Sequence, residues 1–365
     1  MTSGADKTWK PLALVKVTAD YLAGRNVPSP RLDAELLLCR AMKIARRVEL
    51  YAGFERTVTP AELAVYREMV RRRAGREPVS RILGEREFMG IRFLVTPDVL
   101  SPRPETELLV EAALAHVAPV KMPAGEEPAA IAPGEVDAAL ERMLDAYAED
   151  ADADDEAAPA TAPLPVGSGR MEFRGSGATV RPGGHPPKNR PRPAVTVRAL
   201  DLGTGSGCIA VAVAAVLPGA RITAVDKSQK ALAVARKNAE AAGMAERIDF
   251  REGDWFSACP EHERYDLILA NPPYLVKDDP EIWPEVADYD PPPALYGGAD
   301  GLDHYRKIAP GLGRRLNPGG AAFLEVGVRQ ADAVRNLLLE NGLANIRIHK
   351  DYGGVGRVVS GEREA

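Results

Sequence analysis

Apolar and polar positions follow two rhythms along this chain, and the change between them divides it. Residues 1–78 carry the helical rhythm: Leu32, Glu35, Leu36 and Cys39 follow Ser29-Pro30, while Leu63, Tyr66, Met69 and Val70 follow Thr59-Pro60-Ala61-Glu62. Each run opens with a capping residue and a proline at the first helical position, and Glu62 stands where a capping box needs it. From 195 the rhythm becomes short apolar runs separated by helical lengths: VTVRAL (195–200), RITAVD (221–226), RIDFRE (247–252), YDLILA (265–270) and AAFLEV (321–326). Strands alternating with helices predict a mostly parallel sheet covered by helices on both faces. IRIHKD (346–351) and GRVVSG (356–361), around Gly353-Gly354, add a closing antiparallel hairpin. The expected fold is an α/β domain of seven strands preceded by a small all-helical domain.

Four segments follow from this: a helical domain at 1–78, a linker with a hairpin and a helix at 79–118, an insertion at 119–194 and the α/β domain at 195–365. The insertion is dominated by Pro, Gly, Ala and acid. EDADADDE (149–156) holds six acids, and 170–192 holds six Lys and Arg against one acid. Apart from a helical patch at Val136, Leu140, Met143, Leu144 and Tyr147, it has too little apolar surface to offset its ordering entropy, so disorder is expected.

The net charge of −5 argues against a nucleic-acid binder along its whole length. Residues 1–90 nevertheless hold 17 Lys and Arg against 11 Asp and Glu, which points to an acidic partner for the helical part. Arg71-Arg72-Arg73 reads either as a solvated helix end or as part of a docking surface. Cys39, Cys208 and Cys259 are too few and too scattered for a disulfide framework or a zinc site. No apolar run approaches the roughly 20 residues that span a bilayer, and the first residues lack a signal-peptide pattern. These features describe a soluble, cytoplasmic protein without a metal.

Candidate chemistry begins at Asp201-Leu202-Gly203-Thr204-Gly205-Ser206-Gly207, after one strand and before a helix. Glycines there admit a ligand close to the backbone, at the carboxyl end of a strand, although a tight strand-to-helix turn would use them too. A dinucleotide fingerprint would place glycine where this chain has Cys208, which disfavours a hydride-transfer cofactor. Asp226 ends the next strand, where an acid can bind ribose hydroxyls. With Asp254-Trp255 after the third strand, the set resembles the S-adenosylmethionine site of class I methyltransferases. That resemblance implies that Gly203, Thr204, Gly205, Ser206 and Gly207 line the methionine and ribose side. It also implies that Asp226 holds the ribose and that Asp254 and Trp255 flank the adenine.

Asn271-Pro272-Pro273-Tyr274 leaves the fourth strand. It could be a stiff exit turn in which Asn271 bonds its own backbone. In a methyltransferase frame it resembles the motif that methylates carboxamide or exocyclic nitrogens. Such a nitrogen is a poor nucleophile, so fixed acceptors must hold its N–H groups while its lone pair faces the methyl. The Asn271 side-chain oxygen and the Pro272 carbonyl can be those acceptors, and Tyr274 can lie against the flat group. The histidines His116, His185, His262, His304 and His349 are scattered and motif-free.

Residues 77–108, with Arg86-Glu87-Phe88 and LSPRPETE (100–107), closely resemble the junction of the release factor glutamine methyltransferases. The resemblance implies transfer of a methyl group from S-adenosylmethionine to the side-chain amide (N5) of the glutamine in the Gly-Gly-Gln motif of class 1 peptide chain release factors. It places Phe88 on that glutamine and Arg103, Pro104, Glu105 and Thr106 around the pocket, with Pro273 in the motif between them. Phe88 also reads as a core aromatic, and the proline run as a rigid linker. Ribosomal-protein glutamine and DNA adenine-N6 methyltransferases share the tetrapeptide. The first are not expected to carry Arg-Pro-Glu-Thr-Glu, and the second usually need a basic face that is not evident here. A non-catalytic scaffold that binds release factor is the reading from another class. The insertion departs from the family pattern.

Overall fold

The computed structural model describes residues 8–53, 55–117, 196–279 and 282–364. The insertion expected at 119–194, with its helical patch, lies outside the described residues. The chain opens with α1 (Pro11–Ala23), α2 (Pro30–Met42), α3 (Val48–Ala52), α4 (Pro60–Ala74) and α5 (Val79–Leu83). At the start of α4 the Thr59 hydroxyl accepts from the Glu62 N–H, and the Glu62 carboxylate accepts from the Thr59 N–H at 2.9 Å, the expected capping box. Ser29 makes no side-chain cap bond. Of the stripe expected on α2, Glu35 and Cys39 are buried and Leu36 is half-buried, but Leu32 is exposed, and Asp33, Leu37 and Leu38 join the buried face. The buried face of α2 contains two acids with arginine partners, Asp33 and Glu35, of which Asp33 lay outside the expected stripe.

A hairpin of β1 (Glu85–Phe88) and β2 (Ile91–Leu94) leads to α6 (Pro104–Val117). The α/β part runs β3 (Arg198–Leu202), α7 (Cys208–Val216), β4 (Arg221–Asp226), α8 (Gln229–Ala241), β5 (Ile248–Glu252) and β6 (Tyr265–Ala270). It continues α9 (Pro284–Ala287), α10 (Asp303–Arg315), β7 (Leu316–Glu325), α11 (Ala331–Glu340), β8 (Ala344–Lys350) and β9 (Gly356–Glu362). The seven-stranded sheet has the order β5-β4-β3-β6-β7-β9-β8, with β9 antiparallel to both its neighbours.

Successive residues of a strand face opposite sides. Leu267 and Leu269 of β6 therefore pack under α6, α7 and α8 with Leu109, Val110 and Val213. Ile268 joins Leu200 and Leu202 under α10 and α11, against Ile308, Leu312, Val334 and Leu338. Fully burying one such aliphatic side chain contributes about 1.5–3 kcal/mol, so both layers are held firmly.

Register decides where the chemistry falls. Leu202 pairs with Ala270 on one side and Val225 on the other, and Asp226 pairs with Glu252. Gly203, Asp226, Gly253 and Asn271 consequently begin or end at one edge, the carboxyl ends of four adjacent strands. The chain order reverses between β3 and β6, and open sheets of this kind bind ligands in the crevice at that reversal.

Candidate active site

The loop after β3 is bent by Gly203, Gly205 and Gly207, at φ of +74°, +55° and +81°. A side chain on Gly203 would come within 3.4 Å of the Trp255 ring, which forms the opposite wall. Asp226 shapes the loop from β4: one carboxylate oxygen accepts from the Gly205 N–H at 2.9 Å, the other from the Ser228 N–H at 2.8 Å. Burial raises its pKa, and these two N–H bonds oppose the rise. Asn238 on α8 ties the same loop to the hairpin, donating to the Ser206 carbonyl at 2.8 Å and accepting from the Leu94 N–H at 2.7 Å.

Above the loop lies a cavity of about 290 Å³ lined by Gly203, Thr204, Gly205, Ser206, Asp226, Asp254, Trp255 and Asn271. Gly207, expected beside the ligand, is not among the residues that line the cavity. Its Cβ would meet that of Ala235 at 3.0 Å, so glycine there serves helix packing and a left-handed turn. Pro102 and His304 line the cavity as well, unforeseen from sequence. The His304 ring is 5.3 Å from that of Trp255, and its Nε2 donates to the Tyr296 carbonyl at 3.3 Å. Burial lowers its pKa, which keeps the ring neutral near pH 7. The buried Trp255 Nε1 and His304 Nδ1 have no hydrogen-bond partner among the described residues. A donor and an acceptor at one end, glycine backbone and a carboxylate at the other, suit a nucleoside-bearing ligand.

Asn271 also lines a second cavity of about 520 Å³, together with Pro272, Tyr274, Arg103 and Glu105. Pro273 faces the first cavity instead. Asn271 Nδ2 donates to the Thr106 hydroxyl at 3.1 Å, which leaves Oδ1 as the acceptor of that side chain. Tyr274 is fixed rather than free: its hydroxyl lies 3.4 Å from Glu325, and its carbonyl accepts from Gln330 Nε2 at 2.9 Å. Burial pushes its phenol well above the usual range, so it stays protonated. Phe88 is 1% exposed, packs edge-on against Phe93 and lines neither cavity. This packing matches the core reading of Phe88.

Helices α2 and α4 wall the far side of the second cavity with Asp33 and Arg73, and Arg86 of β1 reaches it too. The segment after Tyr274 is fastened there by buried ion pairs. Arg73 bonds Asp33 at 2.6 Å and Glu285 at 3.2 Å, and Arg76 bonds Glu285 at 2.5 Å. Asp290 accepts from Arg81 at 2.8 Å and from Arg103 at 2.5 Å. Neither reading of Arg71-Arg72-Arg73 fits Arg73, which is 4% exposed, while Arg71 and Arg72 pair with Glu68 and Glu77 at the surface. Among the described residues no His, Cys, Asp or Glu cluster could hold a metal, and no helix is long and apolar enough to cross a membrane.

A seven-stranded sheet with this strand order, carrying a nucleoside-sized cavity at its reversal point, is the class I methyltransferase arrangement, and the chain is a methyltransferase. Family models match at residues 13–84, described as the PrmC N-terminal domain, and at 190–286, described as the methyltransferase small domain. The release factor glutamine methyltransferase of Geobacter sulfurreducens is 35% identical, over 97% of this chain and 96% of its own length. That of Cereibacter sphaeroides is 36% identical, over 95% and 96%. A methyltransferase structure from Pyrococcus furiosus aligns with a TM-score of 0.37 at 18% identity, over 47% of this chain and 76% of its own. The chain belongs to the release factor glutamine methyltransferase family.

Proposed function

We propose that the chain transfers a methyl group from S-adenosylmethionine to the side-chain amide nitrogen of the glutamine in the Gly-Gly-Gln motif of class 1 release factors. The observation that carries this is the position of Asn271, which borders both cavities while its Nδ2 is committed to Thr106. The remaining oxygen can accept an N–H from a carboxamide entering through the second cavity. The first cavity fits S-adenosylmethionine: Gly203, Thr204, Gly205 and Ser206 would hold the methionine and ribose side, Asp226 the ribose hydroxyls, and Asp254 and Trp255 the adenine. Its two orphaned ring nitrogens are groups an adenine could satisfy. S-adenosylmethionine supplies a methyl group activated by a sulfonium. Asn271 and the Pro272 carbonyl then orient the amide, and their rigidity supplies the positioning that a weak nucleophile needs. Family membership selects glutamine in a release factor as the amide.

Mass spectrometry of a release factor after incubation with the protein and labelled S-adenosylmethionine tests this. One methyl group gained on the Gly-Gly-Gln glutamine is expected; label elsewhere, or none, overturns it.

A further inference from the structure

Charged side chains wall much of the second cavity, and most of them already have partners. Arg73 holds Asp33 and Glu285, Arg103 holds Asp290, and Arg357 bonds Asp351 through Nε at 2.9 Å. Two others line the cavity with no hydrogen bond or ion pair among the described residues: Arg86 of β1 and Glu105 in the first turn of α6. We propose that this pair holds the main chain of the acceptor peptide, Arg86 donating to a peptide carbonyl and Glu105 accepting a peptide N–H; the identity of the peptide rests on the function proposed above.

The spacing of the two charges carries the argument. Opposite charges sharing a cavity attract, and more strongly there than in water. Arg86 feels the charge of Glu105, yet the two do not close into an ion pair. Each stands on a separate element held by other contacts. Arg86 lies opposite Phe93 in the β1-β2 hairpin, and Glu105 rides on a helix anchored in the core by Leu109 and Val110. A group that fits between them has an acceptor for the guanidinium and a donor for the carboxylate, and a peptide unit offers both. A lone anion would face Glu105, and a lone cation would face Arg86.

The surroundings of Arg86 agree with this. Burial, and then the nearby Arg103, push its pKa down from the ordinary value, while Glu105, Asp33 and Glu107 oppose the fall. Its charge is thus incompletely compensated by the protein, and a carbonyl oxygen entering the cavity supplies a missing partner. Arg103 lines the cavity as well, but one of its nitrogens is already committed to the buried Asp290 at 2.5 Å, whereas no donor of Arg86 is. The glycines of a Gly-Gly-Gln segment present no side chains, so beside the glutamine itself only main chain is there to be gripped.

The test uses the full chain labelled with ¹⁵N-arginine, the Arg86 Nε–H signal being assigned by its loss in Arg86→Lys. Titration with N-acetyl-Gly-Gly-Gln-amide, which carries no acid, should move that signal, and Glu105→Gln should weaken the binding. Propionamide, which offers a side-chain amide without a peptide main chain, should leave the signal in place. No shift with the peptide, or an equal shift with propionamide, overturns the proposal. No methyl transfer is involved, so this result is separate from the proposed reaction. In turnover on a purified release factor, Arg86→Ala should raise KM by about 10- to 100-fold, the scale of a hydrogen bond to a charged group, with kcat changed far less. Arg86→Lys, which keeps the charge and loses the fork, should recover part of that loss. The urea midpoint of Arg86→Ala should not fall, because no partner is stranded. A loss in kcat with KM unchanged, or a loss matched by a lower urea midpoint, overturns the assignment. A wild-type chain that leaves release factor unmethylated would sink the proposed function, and the peptide titration would still decide the main-chain contact.

Discussion

At the scale of single residues, Asn271 and Asp201 make opposite demands on the protein. Removing the Asn271 amide by Asn271→Ala is expected to slow turnover by roughly 100- to 1,000-fold, the range for one positioned active-site hydrogen bond. Affinity for S-adenosylmethionine, measured by calorimetry, should change much less, because the glycine loop and Asp226 are untouched. Asp201 is structural. Its carboxylate accepts from the Thr204 hydroxyl at 2.6 Å and the Ala210 N–H at 3.2 Å, while burial raises its pKa to about 7. An acid with a raised folded pKa binds more protons folded than unfolded, so it favours the folded state at low pH. Its contribution declines as pH climbs from the ordinary 3.8 to about 7. Urea midpoints of Asp201→Asn and wild type between pH 4 and 8 check this: the variant should lose less stability over that window. An equal slope would remove Asp201 from the account. Both residues were plain in the sequence, but the bond from Asn271 to Thr106 was not, since no local pattern marks two polar groups 165 residues apart that meet only through the fold.

At the scale of elements, legibility followed burial. The strands of a parallel sheet are apolar on both faces, so they appear as continuous runs and were legible as strands of one mostly parallel sheet. Helix α2 carries Asp33 and Glu35 at inward positions, and only Glu35 fell on the expected stripe. The partner of Asp33 is far along the chain: Arg73 lies 40 residues from Asp33 and 212 from Glu285. Those ion pairs join α2 and α4 to the segment that follows Tyr274, and so shape the second cavity. Removing one partner of a buried pair strands a charge, which costs about 3–5 kcal/mol. Arg73→Ala is therefore expected to lower unfolding stability by that order in urea titrations. Arg71→Ala, two positions away in an exposed pair with Glu68, should change it by less than about 1 kcal/mol. Similar losses in the two variants would show that the segment is not held through Arg73.

At the scale of the whole molecule, the basic excess of the first 90 residues proves to be largely engaged. Arg31 and Arg47 share Glu35, Arg40 pairs with Glu85, and Arg56 with Glu62. Arg76 and Arg81 reach instead to acids of the sheet domain, Glu285 and Asp290. The charge imbalance visible in the sequence thus stitches the two parts of the chain together as much as it presents a cationic face to a partner. The segment between α6 and β3 bears on the same framework. Helix α6 is held by Leu109, Val110 and Ala113 in one core with Phe323 and Val358, and β3 lies between β4 and β6. Both flanks are thus anchored by their own packing, and α6 brings Thr106 to Asn271 without help from the connection. A long connection costs little more than a short one, since closure entropy grows only logarithmically with length. Deleting residues 125–190 should accordingly leave methylation of a purified release factor within about threefold of the full chain, a difference of under 1 kcal/mol in barrier height. Loss of activity with S-adenosylmethionine binding retained would instead make the segment part of substrate docking, and loss of both would make it part of the fold.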